Sequence, residues 1–178
     1  MQADSDDALM ERVRARDQAA FGRLLARHLS AIHGYALRLT RSHADADELA
    51  QETFLRVWTK ADTYRPGTAQ FATWLHRIAH NLCMDQLRRI HPEPLEDPDG
   101  HASEHPGPER EAASREAATR LQQALSALPE AQRAALLLTE VQGLSNQQVA
   151  DIMNLGVRAV ESLLARARRT LREQVLER

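Results

Sequence analysis

LSNQQVADIMNLGVRAVESLLARARR, residues 144–169, decides the architecture. Ser145 followed three residues later by Gln148 has the form of a capping box, so a helix is predicted to start there. Val149, Ile152 and Met153 give that helix one apolar face, and it lasts about two turns. Asn154-Leu155-Gly156 then interrupts it with the residue types that best tolerate positive φ, predicting a tight turn. A second helix is predicted from about Val157, with Val157, Val160, Leu164, Ala167 and Leu171 on its buried face. Two short helices joined in this way make a helix-turn-helix, with Ala150 small where the helices cross. The second helix also carries Arg158, Glu161, Ala165, Arg168 and Arg172 along its surface. Such a stripe is either a solvated helix face or a surface that enters a DNA major groove.

The rest of the 178-residue chain is predicted to be all-α, with no strand-like alternation and no internal repeat. Apolar residues recur at helical spacing through 6–15, 18–41, 45–61 and 71–90. Pro66-Gly67 breaks the pattern between the last two. Pro129 suits the first turn of a further helix, which runs through Ala134–Leu138 to about Gln142 and ends at Gly143. Between these parts lies HPEPLEDPDGHASEHPGP, residues 91–108, with five of the seven prolines, five acids and no Lys or Arg. This composition predicts an extended, solvated linker. The domains expected are therefore 1–90, a flexible acidic linker 91–108, and 109–178 with helix resuming near Glu109.

Charge follows the same division. The net charge of −2 conceals a middle segment, 91–118, with 8 acidic and 2 basic residues, flanked by two parts with a balance of +2 each. Of 23 basic residues only Lys60 is lysine. The single cysteine, Cys83, rules out an internal disulfide and favours an intracellular setting. No apolar run approaches the roughly 18 residues that span a membrane. The acidic start MQADSDDALMERV lacks the apolar region of a signal peptide, so a cytoplasmic location is expected. His76, His80 and Cys83 have a spacing that fits zinc on one helix face, but a fourth ligand is not evident and no metal is expected. No cofactor is expected either. No Ser/His/Asp set, phosphate loop or catalytic carboxylate pair is present, so the chain is not expected to be an enzyme or to take a small-molecule substrate.

Three segments resemble a known family in the family's own order: the extracytoplasmic-function sigma factors of bacterial RNA polymerase. DADELAQETFLRVW (45–58) resembles their polymerase-clamp helix, FATWLHRIAHNLCMDQLRR (71–89) their promoter-opening helix, and GLSNQQVADIMNLGVRAVESLLARARRTL (143–171) their C-terminal helix-turn-helix. The resemblance implies a partner in core RNA polymerase, contacted by Asp47, Glu48, Leu49, Gln51, Glu52 and Leu55. It implies minus-ten promoter contacts at Thr68, Ala69, Gln70, Phe71, Trp74, Arg77, His80, Asn81, Arg88 and Arg89. Trp74 is alternatively a core anchor. It implies minus-thirty-five contacts at Arg158, Glu161, Ser162, Ala165, Arg166 and Arg168. It also implies an anti-sigma partner that silences the protein, in some members from the membrane. Glu161 stands where many members carry Lys or Arg, Leu163 where many carry Arg, and Ala165 where others carry larger side chains, so the target sequence is expected to be its own. Two further classes stay open from the sequence: an autonomous helix-turn-helix regulator, and a helical scaffold that binds polymerase without opening DNA.

Overall fold

The computed structural model describes residues 4–67, 70–90 and 123–176. The described residues form α1 (Asp6–Arg14), α2 (Gln18–Thr40), α3 (His43–Thr59), a 3-10 turn at Ala61–Thr63 and α4 (Phe71–Ile90). After residue 123 come α5 (Glu130–Leu136), a π-turn over Leu137–Val141, α6 (Asn146–Met153) and α7 (Val157–Leu176). No strand occurs among the described residues. The linker 91–108, the helix expected near Glu109, and Thr68 and Ala69 lie outside them.

Local chemistry explains the helix ends. Ser5, Asp17, Ser42 and Ser145 are N-caps whose side chains accept hydrogen bonds from first-turn N–H groups, supplying acceptors that the helix itself lacks. At Ser145 the box is complete: Gln148 N–H donates to Ser145 Oγ at 3.3 Å, and Ser145 N–H donates to Gln148 Oε1 at 2.9 Å. Asn154 closes α6 in the left-handed region at φ 54°, as the Asn-Leu-Gly turn predicts. Gly67 at φ 83° and Gly143 at φ 68° make the other two breaks, where a side chain would be strained.

The apolar faces pack into two clusters. One joins α1 and the near ends of α2, α3 and α4 through Leu9, Val13, Leu24, Phe54, Phe71 and Leu75. The other is continuous across both halves of the chain. It brings Tyr35 and Leu39 of α2, Leu49 of α3 and Leu82 and Leu87 of α4 together with Leu137, Leu138, Val149, Ile152, Val160 and Leu164. The helix-turn-helix is thus seated on α2, α3 and α4 of the first, four-helix unit, and α4 packs directly against α6. Buried Arg133, 6% exposed, lies in this region with its Nε unpartnered, and burial lowers its pKa.

Two buried polar groups of α4 face α2. Tyr35 O–H donates to Nδ1 of His80 at 2.8 Å, and burial lowers the His80 pKa to about 4. Burial also pushes the Cys83 thiol up to about 12. His80 is therefore a neutral acceptor in the folded chain, while unfolded imidazole titrates near 6.5. The unfolded state binds the extra proton, so this stabilisation is complete above pH 6.5 and lost as pH falls toward 4. Urea unfolding at a series of pH values is expected to show a loss on the order of 2–3 kcal/mol over that window. The slope should be smaller in His80→Gln, whose amide oxygen can still accept from Tyr35.

Candidate nucleic-acid interface

Helix α4 presents an outward stripe. Gln70 just before it, then Arg77, Asn81 and Arg88 are exposed, and Trp74 on the same line is half-buried. Arg89 is exposed beside it. Arg88 is paired with Asp85 at 2.5 Å. Trp74 packs against Tyr64 (5.2 Å between ring centres) and Phe71 (6.0 Å), so it is both an anchor and a partly open surface. Phe71, only 2% exposed, and His80, 6% exposed, are core residues. In the free chain they differ in this from the other expected minus-ten residues: Phe71 fills the aromatic cluster and His80 is paired with Tyr35.

On α3, Glu48, Gln51 and Leu55 are exposed and Glu52 is partly so, giving the mixed face expected from their spacing. Leu55 is the exposed apolar group of this face, at 52%. Glu52 is held by Arg56 at 2.8 Å and Asp47 by His33 at 2.9 Å. Leu49, an expected contact, is buried in the shared core of the free chain at 7% exposure rather than on this open face.

On α7, Arg158, Glu161, Ser162, Ala165 and Arg166 are all exposed on one side, while Val160, Leu164 and Ala167 are buried on the other. Arg168 points to the π-turn and pairs with Glu140 at 2.6 Å. It is therefore engaged within its own domain in this structure. Glu161 and Arg158 form no ion pair with each other, so the carboxylate stays on the open face beside them.

The sequence carried no signal for what lies between the two halves. Gln148, legible only as part of a capping box, donates through Nε2 to Gln70 Oε1 (3.1 Å) and Thr73 Oγ1 (3.2 Å). Gln142 follows the π-turn and reaches the first unit twice. Its Nε2 donates to the Ala31 carbonyl at 3.3 Å, and its Oε1 lies 3.2 Å from His76 Nε2. His76 Nδ1 meets the Ala72 carbonyl at 2.8 Å. Both ring nitrogens thus face acceptors, which only the imidazolium satisfies, while burial lowers the His76 pKa and favours the neutral ring. The Gln142 contact is accordingly a weak one. A crevice of about 460 Å³ remains beside these bonds, with Tyr64, Arg65, Trp74 and Arg77 on one wall and Asp151, Asn154 and Leu155 on the other.

Two helical units, one ending in a helix-turn-helix with an open charged face, define a DNA-binding protein. The comparisons with known proteins are specific. Residues 24–91 match the family model described as Sigma-70 region 2, and residues 118–171 match Sigma-70, region 4. The chain is 38% identical over 164 residues to the ECF RNA polymerase sigma factor SigE of Mycolicibacterium smegmatis, covering 88% of this chain and 63% of that protein. It is 34% identical to the probable RNA polymerase sigma factor RfaY of Xanthomonas campestris, of which it spans 47%. For these two the chain spans less than two thirds of the relative's length. For the RNA polymerase sigma factor CnrH of Cupriavidus metallidurans it is 33% identical and covers 94% of this chain and 93% of that one. Among solved structures, CnrH in complex with the cytosolic domain of CnrY superposes with a TM-score of 0.74 at 29% identity, over 97% of each chain. The sigma factor RpoE in complex with the anti-sigma factor NepR from Bartonella quintana superposes at 0.68 and 25% identity, over 87% of this chain and 96% of that one. The chain belongs to the sigma-70 family of RNA polymerase sigma factors, in its extracytoplasmic-function group.

The bonds between the halves have a direct test. Gln148→Glu keeps the acceptor that the Ser145 N–H needs but sets a carboxylate against Gln70 Oε1. Combined with Gln142→Ala, it is expected to raise the radius of gyration in small-angle scattering while far-ultraviolet helicity is retained. An unchanged radius would mean that the shared apolar cluster holds the halves together unaided.

Proposed function

We propose that this chain directs core RNA polymerase to particular promoters and helps to open them, with no chemistry of its own. The α3 face of Glu48, Gln51, Glu52 and Leu55, with Asp47 beside it, is the polymerase contact. The α4 stripe and the loop before it, Thr68 and Ala69 included, handle the minus-ten element, and the open side of α7 reads the minus-thirty-five element. Single-stranded DNA binds to cationic grooves bearing aromatic platforms, and α4 offers Trp74 among arginines. Major-groove readout needs exposed polar groups on one helix side, as on α7. The observation that carries the proposal is the pair of sigma-70 regions in order on one chain, with that side of α7 open. Domain limits at 1–90 and 109–178, with an acidic 91–108 connecting them, fit this division of labour. The protein acts in the cytoplasm, where polymerase is.

The closed arrangement bears on the mechanism. Elements named for positions ten and thirty-five upstream lie about 25 base pairs apart, about 85 Å at 3.4 Å per pair. Two DNA-reading helices whose domains share a core cannot span that distance, so the halves separate on the polymerase. By analogy with the NepR complex of RpoE, an anti-sigma partner holds this chain inactive. A partner that bridges both halves would reinforce the closed form.

Reconstitution with core polymerase on a randomised promoter pool tests the function: a defined pair of sequence elements should support run-off transcription. Tight sequence-specific duplex binding by the chain alone, without polymerase-dependent transcription, would instead make it an autonomous regulator. Within that assay, charge reversal at Glu48 and Glu52 with Gln51→Lys should weaken polymerase binding and leave helicity intact, because these side chains lie on the surface. Glu161 can accept from cytosine N4, so Glu161→Ala should relax preference at one minus-thirty-five position by about 1–3 kcal/mol. Arg166→Ala should weaken all promoters alike, as a phosphate contact does. An identical base profile for wild type and Glu161→Ala would remove Glu161 from the reading surface.

A further inference from the structure

Helix α1 precedes residue 24, where the region 2 match begins, yet its acidic end fastens the surroundings of Trp74. Asp4 pairs with Arg23 at 2.6 Å, and Asp6 with Arg27 and His28, each at 2.8 Å. Asp7 accepts a hydrogen bond from the Tyr64 hydroxyl across 57 positions of sequence. Tyr64 is buried, and its ring meets Trp74 at 5.2 Å and Phe71 edge-on at 5.8 Å. His28, held by Asp6, also meets Phe71, at 5.2 Å. The acids of α1 therefore fix the two rings that back Phe71 and Trp74. Trp74 opens onto the same crevice as Arg65 and Arg77. An aromatic face flanked by guanidinium groups is what unpaired bases stack on.

We propose that Asp7 and Tyr64 are positioning residues for promoter opening: their hydrogen bond sets the Tyr64 ring, which sets Trp74 as a platform for an unpaired base. This rests on the proposed role of α4. Neither side chain touches the DNA. Burial and the Asp7 hydrogen bond raise the Tyr64 pKa, so its hydroxyl remains a donor throughout the physiological range. A platform fixed in advance spends no binding energy on ordering its own rotamer, and small misplacements of such groups are costly.

The test uses the full chain with core polymerase and a promoter selected from the pool. For the chain free of polymerase, Trp58→Phe leaves Trp74 as the remaining tryptophan of two, so that its emission reports its own mobility. Tyr64→Phe keeps the ring and removes the donor. It is expected to slow open-complex formation, read by permanganate reactivity, about tenfold or more. Trp74 emission anisotropy should fall, with polymerase affinity unchanged. Asp7→Ala should reproduce the defect, and Asp7→Asn, which keeps an acceptor oxygen, should largely restore the rate. Wild-type opening rates in both Tyr64→Phe and Asp7→Ala overturn the proposal, and so does a parallel loss of polymerase binding, which would mark a folding effect. Absence of promoter-specific transcription by the wild type would instead overturn the role given to α4.

Discussion

The apolar cluster that α4 shares with both halves of the chain is the constraint on which the other features depend. Leu82 and Leu87 of α4 lie in the same buried group as Leu138, Val149 and Leu164 of the helix-turn-helix unit. Short helices such as α6 have little stability of their own, so most of it comes from the faces they bury. Docking on α2 and α4 supplies such a face. It also places α6 beside the stripe proposed to open DNA.

The same interface contains groups that weaken it. Arg133 is buried with an unpartnered Nε, and a buried charge with incomplete hydrogen bonding costs more than an apolar side chain of similar size. His76 and Gln142 meet through a bond that the neutral imidazole satisfies only in part. A wholly apolar junction would be hard to separate. Polar groups spread through this one lower the cost of parting it, and a partner with differential affinity for the parted state can then shift the balance.

What was legible in the sequence follows the range of the interactions. The α6–turn–α7 unit was readable because its capping box, the left-handed Asn154 and the apolar faces are local, within a few residues of one another. Arg158, Glu161 and Ala165 on the open side of α7 followed from helical spacing, while Ser162 and Arg166 came only with the family resemblance. The burial of Leu49, Phe71 and His80 was not legible because it depends on what packs over a helix, and an amphipathic pattern only ranks its faces. His80 in particular reads as a surface polar group until Tyr35, 45 positions away, is seen to donate to it. Gln142 and Gln148 carry no mark of their second partners, and Asp7 none of Tyr64. Arg168, equivalent to its neighbours in the sequence, differs only through Glu140.

If the two helical units share one core in the free chain and part on the polymerase, as proposed, the distance between them must grow on binding. Energy transfer between fluorophores on exposed positions of α4 and α7 outside the proposed contacts, such as Ile90 and Arg169 replaced by cysteine in a Cys83→Ser background, measures that separation. Efficient transfer is expected in the free chain and a large drop on binding core polymerase and promoter, with transcription retained by the labelled protein. Equal transfer in both states, in protein that still transcribes, would contradict it.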